Sequence, residues 1–314
     1  MSEQGKSLLW LCEPKTLTLW TFGLLCISLS EIHGLNSFPD NLVVAQRSNG
    51  VPVTLTCDTK TGENVIWKLN EEELDVNSEH HFQQVGPNLT VLEVDGPTVG
   101  EYSCWRGGVM LSSTYLLLEA EEEVDLDSVF TCRAKSYDCV FSCDWTNRDF
   151  ELVRFGLGKD CNEGGKSCRW FSSSGQLSDG TLQFKVPHSL SPYAEESNML
   201  ELTVEAITDT YIFRRTKEFY LRDIIVPESP QIVKCQEVNQ NLMVTIEPPP
   251  SWSAPHSFFS LEHEIQYVLQ DNGQNGSSFS GLIPKRVGRL RARSRDPLVH
   301  SAWSQWTDWK NVTH

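Results

Sequence analysis

Two cysteines, a tryptophan and a tyrosine at a characteristic spacing constrain how the first third of this chain folds. Cys57 ends the segment VPVTLTC, in which apolar and polar residues alternate, and Trp67 follows it. Tyr102 then stands two residues before Cys104. Alternation with a period of two predicts a strand with one buried face. A disulfide packed on a tryptophan, with a tyrosine just before the second cysteine, fills the thin core between two sheets. The pattern therefore predicts a β-sandwich in which these four residues are structural.

The length of the chain predicts more than one such unit. At 314 residues it exceeds what one compact core usually organises. We predict an all-β protein of three tandem β-sandwich domains, over 35–123, 124–226 and 227–314, of which the first has the immunoglobulin pattern. An acidic run that begins at Glu119 predicts a linker or a solvated edge. Pro227 and Pro230 predict a stiff elbow between the second and third domains.

The N-terminus predicts export from the cell. The run from Leu17 to Leu29 is uncharged and mostly apolar, and lysines precede it, as in a cleaved signal peptide. We assign residues 1–34 to this peptide, with cleavage near Gly34, and expect a secreted, extracellular protein. The run is shorter than the about 20 apolar residues of a membrane span, so no membrane insertion is expected. Three sequons are candidate N-glycosylation sites: Asn88, Asn275 and Asn311.

Charge and motifs exclude several classes of function. With 42 acidic and 26 basic residues, the formal net charge is −16, which opposes wholesale binding of nucleic acid or anionic membranes. The segment that ends with Lys166 and Ser167 is not a phosphate-binding loop, because Asp160 replaces its leading glycine. No catalytic or metal-binding motif is readable in the sequence, so we expect neither an enzyme nor a cofactor.

The remaining cysteines concentrate in the second predicted domain. Two of the ten lie in the expected signal peptide, and disulfides persist in an exported protein. Cys132 and Cys143 lie on two short strands that a hairpin brings together, so we favour a bridge between them. A bridge from Cys161 to Cys168 would close a small loop and leave Cys139 unpaired, but the sequence leaves these pairings open. Cys139 and Cys143 have no second pair at zinc-binding spacing.

The third predicted domain ends with a tryptophan box. Its residues are Trp303, Ser304, Gln305, Trp306 and Thr307. Alternating arginines upstream share one strand face: Arg289, Arg291, Arg293 and Arg295. Guanidinium groups on one face repel unless tryptophan rings lie between them, each contact contributing about 0.5–2 kcal/mol, so we predict an Arg/Trp ladder. The alternative is a surface for heparin-like glycans that also uses Lys285 and Arg286, and the two are compatible.

These motifs resemble those of a known family. Cys143-Asp-Trp145 and the tryptophan box resemble the motifs of class I cytokine receptors, with Thr307 in place of the last serine of the WSxWS box. One immunoglobulin-like domain followed by two fibronectin type III-like domains of this receptor type, with a signal peptide and no expected membrane span, resembles the beta subunits of the interleukin-12 type cytokines. Local runs over 192–197, 223–225 and 252–261 resemble them as well.

The resemblance implies a function. It implies that the chain holds a four-helix-bundle alpha subunit at the elbow, and that this heterodimer engages cell-surface class I cytokine receptors in immune signalling. It assigns four residues to the partner interface: Tyr137, Glu195, Phe258, where the family usually has tyrosine, and Asp296. A carboxylate there would suit an arginine of the partner helix. For the two aromatic residues ordinary burial is the alternative, since aromatic side chains fill cores as readily as interfaces.

The sequence departs from the family at its cysteines. Ser191 stands where the family has the cysteine that bridges to the alpha subunit, and no cysteine follows Cys235 to close the family's disulfide in the third domain. Cys139 and Cys235 are therefore the candidate interchain cysteines. A soluble cytokine-receptor alpha chain that captures a circulating helical cytokine is the alternative function. An adhesion protein that acts through its first domain is a second alternative, against which the tryptophan box argues.

Overall fold

Strands make up nearly all the regular structure of the chain. The computed structural model describes residues 35–312, except 36, 48–49, 60–63, 77–78, 122–124 and 166. The expected signal peptide, with Cys12, Cys26 and the cleavage near Gly34, lies outside the described residues. The predicted all-β class of tandem sandwiches is confirmed. The described helices are α1 (Leu126–Val129) and three 3-10 helices at Gly96–Thr98, Lys159–Cys161 and Leu221–Ile224. No helix in this part of the chain is long and apolar enough to cross a membrane.

The first sandwich contains the strands up to Glu119. They are β1 (Leu42–Ala45), β2 (Val53–Leu55), β3 (Ile66–Leu69), β4 (Glu72–Glu73), β5 (Phe82–Val85), β6 (Asn88–Val91), β7 (Gly100–Arg106) and β8 (Val109–Glu119). One sheet has the order β2-β6-β5, and the other has the order β8-β7-β3-β4 with β1 parallel to β8. Trp67 and Tyr102 are buried between the sheets beside the disulfide. The Tyr102 hydroxyl donates to the Thr98 carbonyl oxygen at 2.5 Å, as a tyrosine corner does.

The second sandwich holds the largest buried cluster. Its strands are β9 (Phe130–Arg133), β10 (Val140–Trp145), β11 (Leu152–Leu157), β12 (Trp170–Phe171), β13 (Gly175–Gln176), β14 (Leu182–Pro187), β15 (Leu200–Ile207) and β16 (Tyr211–Phe219). The order β13-β14-β10-β9 forms one sheet, and β12-β11-β15-β16 forms the facing layer. Aromatic side chains that alternate along these strands fill the space between them: Phe130, Phe141, Trp145, Phe155, Phe184 and Phe213.

The first two sandwiches share a sheet. Strand β16 pairs in parallel with β8, so that Tyr211 lies beside Leu118 and Ile212 beside Glu119. The β12-β11-β15-β16 layer therefore continues into β8-β7-β3-β4. A separate apolar cluster centred on Leu117 packs under this junction. Backbone hydrogen bonds and apolar contacts therefore both join the first two sandwiches directly.

The third sandwich has a smaller core. Its strands are β17 (Gln231–Val238), β18 (Asn241–Glu247), β19 (Glu262–Leu269), β20 (Asn275–Ser278), β21 (Leu282–Pro284), β22 (Val287–Arg295) and β23 (Lys310–Asn311). The sheets have the orders β17-β18-β21 and β20-β19-β22-β23. Six buried aliphatic residues form the centre of this core: Leu242, Val244, Ile265, Ile283, Val287 and Leu290.

The structure contains three disulfides in its described part. They are Cys57–Cys104, Cys132–Cys143 and Cys161–Cys168. The sequence pattern favoured the first two and left the third open. Cys132 and Cys143 stand directly opposite each other on β9 and β10, which explains why so short a separation can be bridged. Cys139 is free and exposed, and Cys235 is free and half-buried in the third sandwich.

Candidate functional site

Direct contacts hold the segment between the second and third sandwiches, which we call the elbow. The guanidinium of Arg133, at the end of β9, donates to the carbonyl oxygens of Val226 at 2.9 Å and Pro227 at 2.7 Å. The backbone N–H of Val226 donates to the Ala134 carbonyl oxygen at 2.9 Å. The prolines hold the segment extended and the arginine holds it against the second sandwich, so the elbow has a defined conformation.

An aromatic cluster fills the inside of the elbow. Trp252 and Phe259 belong to the loop between β18 and β19, yet both pack in the core cluster of the second sandwich. The Tyr137 ring stacks on Phe259, with centroids 5.4 Å apart, and meets Trp252 edge-on at 5.9 Å. The Trp252 indole N–H donates to the Phe259 carbonyl oxygen at 2.9 Å. The loop of the third sandwich thus completes the core of the second.

Tyr137 and Asp296, two of the residues assigned to the interface, contact each other. The Tyr137 hydroxyl donates to Asp296 Oδ2 at 2.7 Å. Burial, and then this hydrogen bond, raise the pKa of Tyr137, so the hydroxyl stays protonated. Asp296 is only 2% exposed, and its Oδ1 accepts from the Leu298 N–H at 2.8 Å. In this chain alone the Asp296 carboxylate is therefore satisfied internally.

The other two assigned residues lie on the exposed rim of the elbow. Phe258 is 54% exposed and contacts Tyr193, whose ring is 62% exposed, at a centroid distance of 5.5 Å. Tyr193 also reaches Phe259 at 5.6 Å, which connects the rim to the buried cluster. Glu195 is exposed nearby in the chain, and Leu298, at the tip of the Asp296 loop, is 76% exposed. We call Tyr193, Glu195, Phe258 and Leu298 the elbow surface.

Two buried polar atoms near this surface lack partners in the described structure. They are His188 Nε2 and Glu196 Oε1. Burial lowers the pKa of His188, so its ring is neutral at pH 7, and Nδ1 accepts from the Leu190 N–H at 3.2 Å. A backbone hydrogen bond with Asp138 acts on the same ring and opposes this lowering of the pKa. Unpaired buried groups are rare inside folded proteins and point to a partner or a bound water.

The free Cys139 lies at the same edge. Its carbonyl oxygen accepts from the His188 N–H at 2.8 Å, and Ser191 follows three residues after that histidine. Cys139 is therefore near the position at which the family resemblance places an interchain cysteine. Cys235 belongs to the β17-β18-β21 sheet of the third sandwich, where burial raises the pKa of its thiol.

The predicted Arg/Trp ladder is present on β22. The Arg291 guanidinium lies 4.7 Å from the rings of both Trp306 and Trp309. Arg293 lies 4.7 Å from Trp303 and 4.5 Å from Trp306. The outer contacts are Arg289 over Trp309 at 4.8 Å and Arg295 over Trp303 at 4.6 Å. Cations and aromatic faces thus alternate along the whole strand.

The opposite strand β19 supplies acceptors for three of these arginines. The cross-strand pairs are Arg291 with Gln266 at 2.7 Å, Arg293 with Glu264 at 2.8 Å and Arg295 with Glu262 at 2.7 Å. Lys285 pairs with Glu237 and Arg286 with Asp271. Since carboxylates accompany most of this basic cluster, its charge arrangement favours the ladder over a surface for heparin-like glycans.

Hydroxyls of the tryptophan box attach it to β22. Ser304 Oγ accepts from the Ser294 N–H at 2.9 Å, and Thr307 Oγ1 accepts from the Ala292 N–H at 3.0 Å. Backbone bonds return from Ser304 and Thr307 to the carbonyl oxygens of the same two residues. Thr307, in place of the last serine, therefore retains the hydrogen bond of the box, because its hydroxyl oxygen accepts that bond.

Removing that hydroxyl gives a first prediction. Thr307→Val is expected to lower the free energy of unfolding by about 1–3 kcal/mol, because the buried Ala292 N–H loses its acceptor. Thr307→Ser retains the hydroxyl and should change stability by no more than about 0.5 kcal/mol. Chemical denaturation of both variants measures the difference. Equal losses in the two variants would contradict the assigned role of the hydroxyl.

Several residues that build these sites were not predicted from the sequence. Trp309 extends the ladder, and its position three residues after Trp306, itself three after Trp303, is a signal that was present in the sequence. The acceptors on β19 follow the pattern Glu-x-Glu-x-Gln, which complements the alternating arginines. Arg133 had no such signal, because its acceptors lie more than 90 residues away.

Of the three sequons, two have exposed asparagines. Asn275 begins β20 and Asn311 ends β23, and both are exposed, although Thr313 of the second sequon lies outside the described residues. Asn88, at the start of β6, is partly buried.

Comparisons with known proteins show which chains this one is similar to. A family model described as "Cytokine interleukin-12p40 C-terminus" matches residues 127–208. The chain is 26% identical to interleukin-12 subunit beta of Ovis aries over 328 residues, with 93% of this chain and 98% of the relative covered. The same subunit of Marmota monax is 27% identical over 330 residues, with 96% and 95% covered. The resemblance read from the residues is thus confirmed, and so is the prediction of a protein that is not an enzyme, since the matched proteins are cytokine chains.

Proposed function

Since the chain is similar to interleukin-12 beta subunits over nearly its full length, we propose that it is a secreted cytokine subunit that binds a four-helix-bundle alpha subunit at the elbow. The heterodimer is then presented to cell-surface class I cytokine receptors in immune signalling. The observation that carries this proposal is the elbow surface, an exposed aromatic pair placed on a rigid, shared core between two sandwiches.

The geometry of the elbow suits a helical partner. Phe258 and Tyr193 project large apolar rings that a partner would cover, and interfaces concentrate their binding energy in such aromatic residues. Glu195 is an exposed acid at the rim, where a basic side chain of the partner would pair with it. In this proposal Tyr137 and Asp296 lie beneath the exposed interface residues. A partner side chain contacts them only if it inserts between the rings of Phe258 and Tyr193.

The elbow is also preformed. Arg133 and the Trp252 cluster connect the second and third sandwiches by direct contacts in the chain alone. A surface that is ordered in advance loses less conformational entropy on association.

The domain types belong to the same proposal. We assign an immunoglobulin-like domain to 35–123, on the tyrosine corner and the disulfide packed on Trp67. Fibronectin type III-like domains are assigned to 124–226 and 227–314, on the Cys132–Cys143 staple and on the Arg/Trp ladder.

Cys139 is the proposed interchain cysteine. It is exposed beside the segment that contains Ser191, whereas burial raises the pKa of Cys235 and so disfavours its reactive thiolate. The bond would form by thiol–disulfide exchange. Cys139 and the thiol of the partner each lose a proton, and a disulfide donor of the secretory compartment accepts the two electrons and both protons and becomes two thiols.

Co-secretion tests the proposal. We expect the chain, expressed with a four-helix alpha subunit, to leave cells as a 1:1 complex on size exclusion. The complex should resist separation on a non-reducing gel, and Cys139→Ser should remove that resistance while Cys235→Ser, the matched control, leaves it unchanged.

The other outcomes are equally informative. A chain that is secreted only as a monomer, and that captures a helical cytokine added afterwards, would replace the proposal with a soluble receptor alpha chain. A 1:1 complex that separates without reductant in the wild type would retain the proposed function and remove the interchain disulfide.

A further inference from the structure

The first residues of the described chain are attached to the second sandwich. The backbone nitrogen of Leu35 donates to Glu151 Oε2 at 3.2 Å, across 116 positions of sequence. The side chains of Leu35 and Phe38 pack on the apolar cluster that contains Leu117 and Ile207. Glu151 lies just before β11. The segment that leads into β1 of the first sandwich is therefore tied to the second sandwich at its very start.

Several contacts position the residues on which this N-terminal segment packs. The Phe38 ring lies under the Arg154 guanidinium at 4.2 Å, and Trp170 lies 4.1 Å from the same group. Arg154 also donates to the fully buried Glu205 at 2.7 Å, and Glu205 in turn accepts from Arg214. Arg154 is therefore held by two rings and a carboxylate, and Phe38 stacks on a guanidinium that these contacts position.

We infer that the mature chain begins at Leu35 and that its new α-ammonium group forms an ion pair with Glu151. Hydrolysis of the Gly34–Leu35 bond adds water across the C–N bond. Gly34 leaves with a carboxylate, and Leu35 retains the nitrogen, which takes up a proton. Before cleavage this nitrogen is a neutral amide donor, and after cleavage it is a cation 3.2 Å from a carboxylate oxygen. Charge-assisted hydrogen bonds are stronger than neutral ones.

The position of the cut decides whether the pair forms. One residue of backbone spans about 3.3–3.8 Å, so a terminus one residue earlier or later places its charge beyond direct contact with Glu151. Arg154 of the second sandwich lies over Phe38 of the same segment, and two ionisable groups of the first sandwich lie near Glu151. They are Tyr115, whose pKa is raised by burial and then by Glu101 and Glu151, and Glu101 itself.

The inferred role is to fasten the junction between the first two sandwiches. The β8 and β16 strands already join them, and the ion pair adds a contact at the open end of the apolar cluster. Removal of the leader would thus change the stability of the mature fold as well as release the chain.

The α-amino group itself provides the first test. Mass spectrometry of the chain secreted alone should give Leu35 as its first residue. After reductive methylation with a ¹³C label, NMR titration should place the pKa of the α-amino group above its ordinary value of about 7.7–8.0. Glu151→Gln should return that pKa to the ordinary value, and Glu163→Gln, an exposed control, should leave it raised.

Thermal unfolding provides the second test. In the chain that starts at Leu35, Glu151→Gln is expected to lower the melting temperature by about 1–3 °C relative to Glu163→Gln, the effect of one exposed ion pair. In a chain that retains Gly34 as its first residue the substitution should have a smaller effect. A different mature terminus, an α-amino pKa that Glu151→Gln does not change, or equal losses in both chain forms would each overturn the inference. None of these outcomes depends on an alpha subunit.

Discussion

Replacing Trp252 by alanine is expected to lower the free energy of unfolding by about 3–5 kcal/mol, the range for a large aromatic side chain removed from a core. Trp252 is 4% exposed and packs in the cluster of the second sandwich, although its chain position places it in the third. Its indole also donates to the Phe259 carbonyl oxygen, which the variant leaves unpaired. Circular dichroism during chemical denaturation measures the loss.

The part of the protein that loses stability in Trp252→Ala distinguishes a core shared by the two sandwiches from a surface contact between them. Hydrogen exchange is expected to accelerate in β10 and β16, because Phe141 and Phe219 belong to the same cluster as Trp252. Trp309→Ala removes the same kind of side chain from the outer end of the ladder and is the matched control. It should leave exchange in β10 and β16 unchanged. Faster exchange confined to the third sandwich in Trp252→Ala would show that the elbow is only a surface contact.

The features that could be predicted from the sequence are those that depend on short periodic patterns of residues. Alternation around Cys57 predicts a strand, and the positions of Trp67 and Tyr102 place that strand in a two-sheet core. The ladder was predictable for the same reason, since arginines at every second position must share a face of β22. The structure adds Trp309, because tryptophans at every third position continue the stack beyond the box.

The elbow was not predictable in the same way. The Tyr137–Asp296 hydrogen bond joins residues 159 positions apart, and the contact of Ser136 with Ser253 spans 117. No local period encodes such pairs, because they depend on how two sandwiches pack after each has folded. The family resemblance named Tyr137 and Asp296 as interface residues, but only the structure shows that they bind each other. For Tyr137, ordinary burial and a role in the interface were given as alternatives. Its position inside the elbow is compatible with both.

The double variant Tyr193→Ala/Phe258→Ala, which removes the exposed rings of the elbow surface, is expected to bind the alpha subunit about 30-fold or more weakly. An aromatic residue at the centre of an interface contributes about 2 kcal/mol or more, so the loss of one such ring already corresponds to that factor. Since Phe258 is 54% exposed, its removal should leave the melting temperature nearly unchanged. Phe279→Ala is the matched control, because Phe279 is 63% exposed but contacts Trp303, away from the elbow. Surface plasmon resonance with an immobilised alpha subunit measures the affinities. If Phe279→Ala weakened binding as much as the double variant, the partner surface would lie along the ladder rather than at the elbow.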